Sequence, residues 1–521
     1  MKKLLTAALM VLASPATAEP PAGFDARVET LRQEAGVPGM AVVIVENGKV
    51  VLAKGYGVRK LGSHDKVDGD TLFRTGSTGK AMTVAALATL VDAGRLGWDD
   101  HVVDRLPGFQ MYDPYVTREM TVRDLLVHHS GLGLGAGDLL FVPRGHLSRA
   151  EVVRRLRFIK PATSFRSGYA YDNILYTVAG ALIEAVSGQR YEDYLRDHVF
   201  RPAGMVRSTG DPAVRLATPD RAWPHARLGG AVRGVAPQQV LDESDQLGQS
   251  SAPAGLLSIS ANDMGRWLQI QLAHGRLPDG RRLFSEAASA EMWKPVTIEP
   301  IAPVPAELAG MQPHFQDYAL GWEVRDYAGA RIVWHSGSVF GFVTAVVLIP
   351  EKNVGFAITI NSEDGQIPVG LMYELLDHYL GRPAQDWPSR YAQVLSRRRA
   401  AAAAVVEQAA ATPARIGPSL PLTRYAGTYT DPWYGNVIVG TDEKGLTVDF
   451  TTTPRMKARL EHWQYDSFVA RFNDPVIEPA YLTFALDADG RVERVAVKPV
   501  SPTADFSFDY QDLHLTPVKE P

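Results

Sequence analysis

The sequence contains no cysteine in its 521 residues. This absence excludes disulfide bonds, a thiol nucleophile and metal sites built on thiolates. Stability must therefore come from apolar cores, and a hydrophobic content of 45% can supply them. The chain is long enough for two or three such cores rather than one.

Long hydrophobic runs and a surplus of either charge are also missing. The formal net charge is −4, so no basic surplus indicates a nucleic-acid or anionic membrane partner. The apolar run at residues 4–13 is shorter than the roughly 18 residues of a membrane-spanning helix, and no later run reaches that length. We therefore expect no nucleic-acid partner and no stable membrane insertion.

The N-terminus has the pattern of a secretory signal peptide. Lys2 and Lys3 precede the apolar run, and Ala16-Thr17-Ala18 follows it as a small-residue cleavage site. The pattern predicts a signal peptide at residues 1–18, cleaved after Ala18. We therefore expect a periplasmic or secreted protein.

Three familiar catalytic or nucleotide-binding motifs are absent as well. The Gly-Lys pair at 79–80 looks like the end of a phosphate loop, but Arg74 and Ala81 stand where that motif needs Gly and Ser or Thr. Neither His-Glu-x-x-His nor Gly-x-Ser-x-Gly occurs, which argues against a zinc protease and an α/β-hydrolase. We predict no cofactor and no metal.

Strand and helix patterns predict an α+β fold. Two β-type runs flank Asn47-Gly48, which is the typical signal of a tight hairpin. Helical patterns follow, including an apolar stripe from Ile174 to Val186, and β-type runs return at 332–334, 345–349 and 355–360. We expect the early and late strands to share one antiparallel sheet, flanked by helices and joined by a mainly helical region.

The last quarter of the chain has a different texture. An Arg- and Ala-rich helical stretch and then Pro413, Pro418 and Pro421 predict a linker over residues 383–421. Short β-type runs alternate with turn signals from Tyr425 onward, which predicts a small all-β barrel or sandwich. The expected domains are residues 19–382, the linker, and residues 422–521.

Ser77 and Lys80 form a Ser-x-x-Lys pair where a helical pattern begins. Residues three apart lie on one face of a helix, so the lysine can reach the serine hydroxyl. A hydroxyl becomes nucleophilic when a base takes its proton, and a lysine with a lowered pKa can be that base. The pair alone also occurs by chance, so it needs support from elsewhere in the chain.

Two further clusters supply that support. Tyr171-Asp172-Asn173 offers a phenol for proton relay and an amide that can orient the lysine. His335-Ser336-Gly337-Ser338 joins two β-type runs, and its N–H groups can help to stabilise an oxyanion.

Together these three clusters resemble the motifs of the serine β-lactamase-related hydrolases. That family includes class C β-lactamases, D-alanyl-D-alanine carboxypeptidases, D-aminopeptidases and family VIII carboxylesterases. The resemblance spans about residues 24 to 382 and implies a β-lactamase/transpeptidase-like fold. The tail from about residue 422 is similar to the lipocalin-like β-barrel domain that some members carry.

The resemblance also implies roles for individual residues. Ser77 is the expected nucleophile, Lys80 and Tyr171 share the general-base work, and Asn173 holds Lys80. The substrate-binding and oxyanion residues are expected to include His335, Ser336, Gly337 and Ser338. Many β-lactamases have a lysine at the position of His335. A histidine is only partly charged near neutral pH, so this departure argues against efficient β-lactamase activity.

We therefore expect an exported serine hydrolase that acts through an acyl-enzyme on a small ester or short peptide-like amide. A β-lactamase or cell-wall D,D-peptidase acting on a lactam or peptide is the alternative enzyme. A catalytically silent ligand-binding protein on the same scaffold is the alternative of another class. The oligomeric state stays open, with a homo-oligomer as one option.

Overall fold

The computed structural model describes residues 20–243, 247–411 and 416–518. The predicted signal peptide at residues 1–18 lies outside this part of the chain, as does Pro413 of the predicted linker. In the described residues, no helix is both long and apolar enough to cross a membrane.

One eight-stranded antiparallel sheet contains the early and the late strands, as predicted. Asn47 and Gly48 both have positive φ, which closes the expected hairpin between the first two strands. From edge to edge, the sheet consists of Lys49–Gly57, Gly39–Glu46, Val354–Ile360, Phe342–Ile349, Ala330–Val339, Glu323–Tyr327, Gln316–Tyr318 and Thr297–Ile298.

Both faces of this sheet are buried. On the strand Gly39–Glu46, Val43 packs into one apolar core, and its neighbours Val42 and Ile44 pack into a second core on the opposite face. Successive strand residues point to opposite faces, so a strand covered on both sides has a continuous apolar sequence. Helices therefore lie on both faces of the sheet.

The helices and short strands fill the remainder of the α+β region. The α-helices are Phe24–Glu34, Lys80–Asp92, Val102–Arg105, Pro114–Glu119, Arg149–Arg155, Ile174–Ser187, Tyr191–Leu195, Pro212–Ala217, Ala252–Gly255, Ala261–Leu272, Glu286–Met292, Gln366–Tyr379 and Trp387–Ala411. Two small ribbons pair Phe73–Arg74 with Ser258–Ile259 and His225–Arg227 with Gln238–Val240. The helix Ile174–Ser187 ends before Gly188, as its apolar stripe predicts.

A closed eight-stranded barrel forms the C-terminal part, which confirms the predicted all-β tail. Its strands are Gly427–Asp431, Gly435–Asp442, Gly445–Phe450, Lys457–Gln464, Ser467–Phe472, Ala480–Leu486, Val492–Pro499 and His514–Pro517. The domain boundaries at residues 382 and 422 and the resemblance to lipocalins remain predictions.

The barrel packs directly on the α+β region. One continuous apolar cluster contains residues of both parts, and the rings of Phe340 and Phe508 lie 6.1 Å apart across the contact. This packing brings the segment after the strand Val492–Pro499 to the cavity described below.

Candidate active site

Ser77 lies in a tight turn that ends where a buried helix begins. The turn, Gly76–Gly79, is a short 3₁₀ segment, and the helix Lys80–Asp92 follows it directly. Gly76 has a φ of 55°, and a Cβ there would lie 2.5 Å from the backbone nitrogen of Ser338. Only glycine therefore lets this turn lie against the strand Ala330–Val339.

Lys80 is fully buried behind Ser77 and makes three polar contacts. Its Nζ lies 3.0 Å from Ser77 Oγ, 2.7 Å from Asn173 Oδ1 and 2.8 Å from the carbonyl oxygen of Ala254. An amide oxygen and a carbonyl oxygen can only accept hydrogen bonds. A neutral lysine gives its two hydrogens to those oxygens, so its lone pair points at the Ser77 hydroxyl.

The charge state of Lys80 suits this arrangement. Burial lowers the pKa of Lys80 to about 7, while the carboxylates of Asp138 and Asp172 act in the opposite direction. A substantial fraction of Lys80 is therefore neutral near pH 7. This lysine can accept the proton of Ser77.

Tyr171 lies over the same lysine but has a different protonation state. Its ring centre is 4.8 Å from Lys80 Nζ, and burial raises the pKa of Tyr171 well above its usual value. The hydrogen bond with Ser77 lowers this pKa, but burial outweighs it. Tyr171 therefore stays protonated and fits a proton relay better than a base.

The contacts of His335 fit an uncharged imidazole. Its Nδ1 lies 2.5 Å from the carbonyl oxygen of Ser336 and donates to it, so Nε2 accepts from the Tyr318 hydroxyl at 2.8 Å. Burial, with a smaller contribution from Lys80, lowers the pKa of His335 to about 3. The sequence alone predicts a partly charged histidine, whereas the buried position of His335 makes it neutral at physiological pH.

The strand Ala330–Val339 also brings backbone groups to Ser77. A Cβ on Gly337 would overlap the carbonyl oxygen of Thr75 and lie 2.9 Å from the backbone nitrogen of Ser77. Ser338 follows directly, and its backbone nitrogen lies against Gly76, the residue before Ser77. Two such donors can stabilise a developing oxyanion.

These residues surround a cavity of about 650 Å³. Six of the eight residues predicted from the sequence line it: Ser77, Tyr171, Asn173, His335, Ser336 and Ser338. Lys80 lies behind the cavity wall, and Gly337 is pressed against the backbone of the turn. The structure thus brings all eight predicted residues together.

Several cavity residues have no signal in the sequence. Glu323 is one of them, and burial raises its pKa to about 8, with a further contribution from Glu299. Arg398 and Arg399 line the cavity from the helix Trp387–Ala411, although their charge run by itself indicates only a solvated helix face. Phe506 reaches the cavity from the barrel.

Asp138 lies one layer behind the cavity, and it was likewise not predicted from the sequence. Asn173 Nδ2 donates to Asp138 Oδ2 at 2.8 Å, and burial raises the pKa of Asp138 to about 7. Asp138 follows the glycine-rich stretch 131–137, which the sequence places only in a loop. In the described residues, no cluster of three or more His, Asp or Glu side chains could hold a metal ion.

The fold and this site define a serine hydrolase. The chain belongs to the β-lactamase family, whose model matches residues 24–378, and a domain of unknown function, DUF3471, matches residues 411–517.

Two curated relatives bear hydrolase or penicillin-binding names. Penicillin-binding protein 4 of Amycolatopsis lactamdurans is 31% identical over 376 residues, which cover 70% of this chain and 90% of the relative. Unguisins hydrolase ungD of Aspergillus violaceofuscus is 28% identical over 427 residues, covering 77% and 73% respectively.

Among solved structures, the octameric penicillin-binding protein homologue from Pyrococcus abyssi has a TM-score of 0.58. It is 21% identical, and the match covers 91% of this chain and 97% of that one. This likeness concerns the fold alone, and it extends over the sheet region and the barrel.

Proposed function

We propose that the protein is an exported serine hydrolase that forms an acyl-enzyme on Ser77. The observation that carries the proposal is the contact of Lys80 with Ser77, in which two pure acceptors occupy the other positions around Nζ. The signal-peptide pattern at residues 1–18 supports export.

The proposed acylation uses this geometry. Ser77 Oγ attacks the substrate carbonyl carbon while its proton passes to Lys80 Nζ. The oxyanion accepts hydrogen bonds from the N–H groups of Ser77 and Ser338. As the bond to the leaving alcohol or amine breaks, Tyr171 gives its proton to the leaving group and is reprotonated from Lys80. Water then hydrolyses the ester on Ser77 with the same groups acting in reverse.

The proposed substrates are small esters or short peptide-like amides. The neutral His335 places no fixed positive charge on the strand beside Ser77, so a lactam carboxylate lacks the ion pair that a lysine there would give. The hydrolase name of the Aspergillus relative supports a hydrolytic reaction on this scaffold.

A β-lactamase or D,D-peptidase is the second candidate. Arg398 and Arg399 line the cavity and can attract an anionic group of a substrate. The penicillin-binding protein name of the Amycolatopsis relative points the same way. A homo-oligomer stays a prediction, supported by the octameric assembly named for the Pyrococcus homologue.

A substrate panel separates these candidates. p-Nitrophenyl esters, D- and L-aminoacyl p-nitroanilides and nitrocefin are tested with the wild type and with Ser77→Ala. We expect the fastest turnover on a short ester or an aminoacyl anilide, and intact-mass spectrometry with a fluorophosphonate should show one adduct that Ser77→Ala lacks. Nitrocefin cleaved as fast as the best ester would favour the second candidate. Equal adducts on both proteins would contradict the assignment of Ser77.

A further inference from the structure

A segment of the barrel holds the turn that carries Asp138. This segment, residues 501–509, is called the barrel loop here and lies between the strands Val492–Pro499 and His514–Pro517. Asp509 is fully buried and accepts hydrogen bonds from the backbone N–H of Gly137 at 2.7 Å and of Leu139 at 3.1 Å. These two donors flank Asp138 in the chain, so Asp509 fixes the backbone on both sides of it.

Ser507 of the same loop binds the Asp138 side chain. Its Oγ donates to Asp138 Oδ2 at 2.8 Å, and Asn173 Nδ2 donates to the same oxygen at 2.8 Å. The other oxygen, Oδ1, is buried without a hydrogen-bond partner in the described residues. Two donors on one oxygen fix the direction of the carboxyl group, and the loss of the Ser507 hydroxyl would leave Asn173 as the only side-chain donor to it among the described residues.

The direction of this carboxyl group sets the orientation of Asn173. A side-chain amide has a donor end and an acceptor end. Because Asp138 takes the donor end, the acceptor end faces Lys80 Nζ at 2.7 Å. If the amide turned around, its NH₂ group would face the lysine and compete for the lone pair that Ser77 uses.

These contacts form one hydrogen-bonded path from the barrel to the nucleophile. Asp509 and Ser507 hold Asp138, Asp138 orients Asn173, and Asn173 holds Lys80 against Ser77. We propose that Ser507 and Asp509 are positioning residues of the active site. Through them, the barrel helps to hold Lys80, the base that activates Ser77, in place. This inference rests on the proposed function, in which Ser77 is acylated with the help of Lys80.

Such a role predicts a defect in the acylation rate constant rather than in substrate binding. Ser507 lines the cavity, but its hydroxyl donates to Asp138, and Asp509 is fully buried, so the dissociation constant of the substrate should change little. A misplaced base slows the chemical step, by as much as about 10²-fold for a shift near 1 Å. If the barrel loop had a purely structural role, its variants would be less stable, but the acylation rate constant would not fall at an unchanged dissociation constant.

The test uses Ser507→Ala, Ser507→Thr and Asp509→Asn in the full-length protein. Stopped-flow acylation by a p-nitrophenyl ester gives the rate constant and the apparent dissociation constant, and thermal unfolding checks the fold. We expect Ser507→Ala and Asp509→Asn to slow acylation by at least about tenfold, with the dissociation constant within about twofold. Ser507→Thr keeps the hydroxyl group and should recover most of the rate.

Two barrel residues away from the site supply matched controls. Ser467→Ala removes a hydroxyl whose hydrogen-bond partner in the described residues is the Thr483 hydroxyl, at 2.8 Å. Asp466→Asn removes a carboxylate whose described contacts include the backbone N–H of Ser419 at 2.8 Å and its hydroxyl at 2.9 Å. Both controls should acylate at the wild-type rate.

The possible results separate this inference from the proposed function. A wild type that is not acylated on Ser77 would overturn both. A wild type that is acylated, with Ser507→Ala reacting equally fast, would overturn the inference alone, as would a Ser507→Thr protein as slow as Ser507→Ala. If the buried Asp509→Asn protein fails to fold, the partly exposed Ser507 still decides.

Discussion

The chemistry of single residues in this site depends on what surrounds them. Lys80 is a cation in an ordinary surface setting, but here it is buried and faces two oxygens that only accept hydrogen bonds. Burial lowers its pKa to about 7 and raises the pKa of Tyr171 well above its usual value. The two candidate bases thus differ in protonation state: Lys80 is partly neutral near pH 7, whereas Tyr171 keeps its proton.

The first prediction concerns the pH dependence of acylation. The active form has neutral Lys80, so the acylation rate constant should be half-maximal near pH 7, level off about one pH unit above it, and fall roughly tenfold per pH unit well below it. Stopped-flow acylation of the wild type between pH 5 and 9 measures this curve. A rate that stays flat from pH 5 to 8 would contradict Lys80 as the base.

Lys80→Arg gives an independent check. A guanidinium stays charged in this range and cannot accept the proton, so we expect a loss of at least about 10²-fold in kcat. Lys352→Arg, on an exposed turn, is the matched control and should keep wild-type activity. Activity of Lys80→Arg within a few-fold of the wild type would assign the base to another group.

At the scale of elements, much of the fold could be predicted from local sequence patterns. The Asn47-Gly48 hairpin, the helix Ile174–Ser187 and the β-rich tail all follow from periodicity and turn residues, which act over short stretches of chain. The spacing of Ser77 and Lys80 likewise predicts their contact, because three helical positions bring side chains to one face.

Contacts between distant segments could not be predicted in this way. Asp138 and Ser507 are 369 positions apart, and no spacing in the sequence relates them. The positions of the cavity residues Glu323 and Arg399 could not be predicted for the same reason, since they depend on how the sheet and a long helix pack together. The resemblance to the serine β-lactamase-related hydrolases rests on the three motifs and did not predict the cavity residues around them.

The second prediction concerns the contact between the strand Ala330–Val339 and the turn Gly76–Gly79. Gly337→Ala adds a Cβ that overlaps the carbonyl oxygen of Thr75, so the strand must move away from the Ser77 backbone nitrogen. Displacement of oxyanion donors typically costs about 10²-fold or more in kcat. We expect Gly337→Ala to fold and to lose acylation by at least that factor.

Gly417→Ala is the control for this change, because a Cβ on Gly417 would meet no atom within 4 Å. Fluorophosphonate labelling followed by mass spectrometry measures both variants, and circular dichroism checks the fold. A folded Gly337→Ala protein that is labelled at the wild-type rate would show that this close approach has no part in the reaction.

At the scale of the whole molecule, the barrel forms part of the cavity wall. Thr503, Asp505 and Phe506 line the cavity together with residues of the α+β region, and the rings of Phe506 and Tyr171 lie 6.0 Å apart in an edge-to-face arrangement. Elsewhere in the contact, Arg155 donates to the backbone carbonyl oxygen of Trp433 at 3.0 Å, which ties the two parts together. We therefore expect the barrel, as well as the α+β region, to limit the size of a substrate beside Ser77.

The last prediction concerns Phe506. Phe506→Ala removes the ring beside Tyr171 and opens the cavity. The kcat/KM for esters with bulky acyl groups should therefore rise relative to that for esters with small ones. A difference of one methylene in an apolar pocket changes kcat/KM by about 10- to 200-fold, so we expect the ratio for p-nitrophenyl phenylacetate over p-nitrophenyl acetate to rise at least about tenfold. Phe315→Ala is the matched control, because Phe315 is 43% exposed and Phe506 is 39% exposed, yet only Phe506 lines the cavity. An unchanged ratio in a folded Phe506→Ala protein would mean that the barrel does not limit the acyl group, and that the leaving-group side of the substrate faces this wall instead.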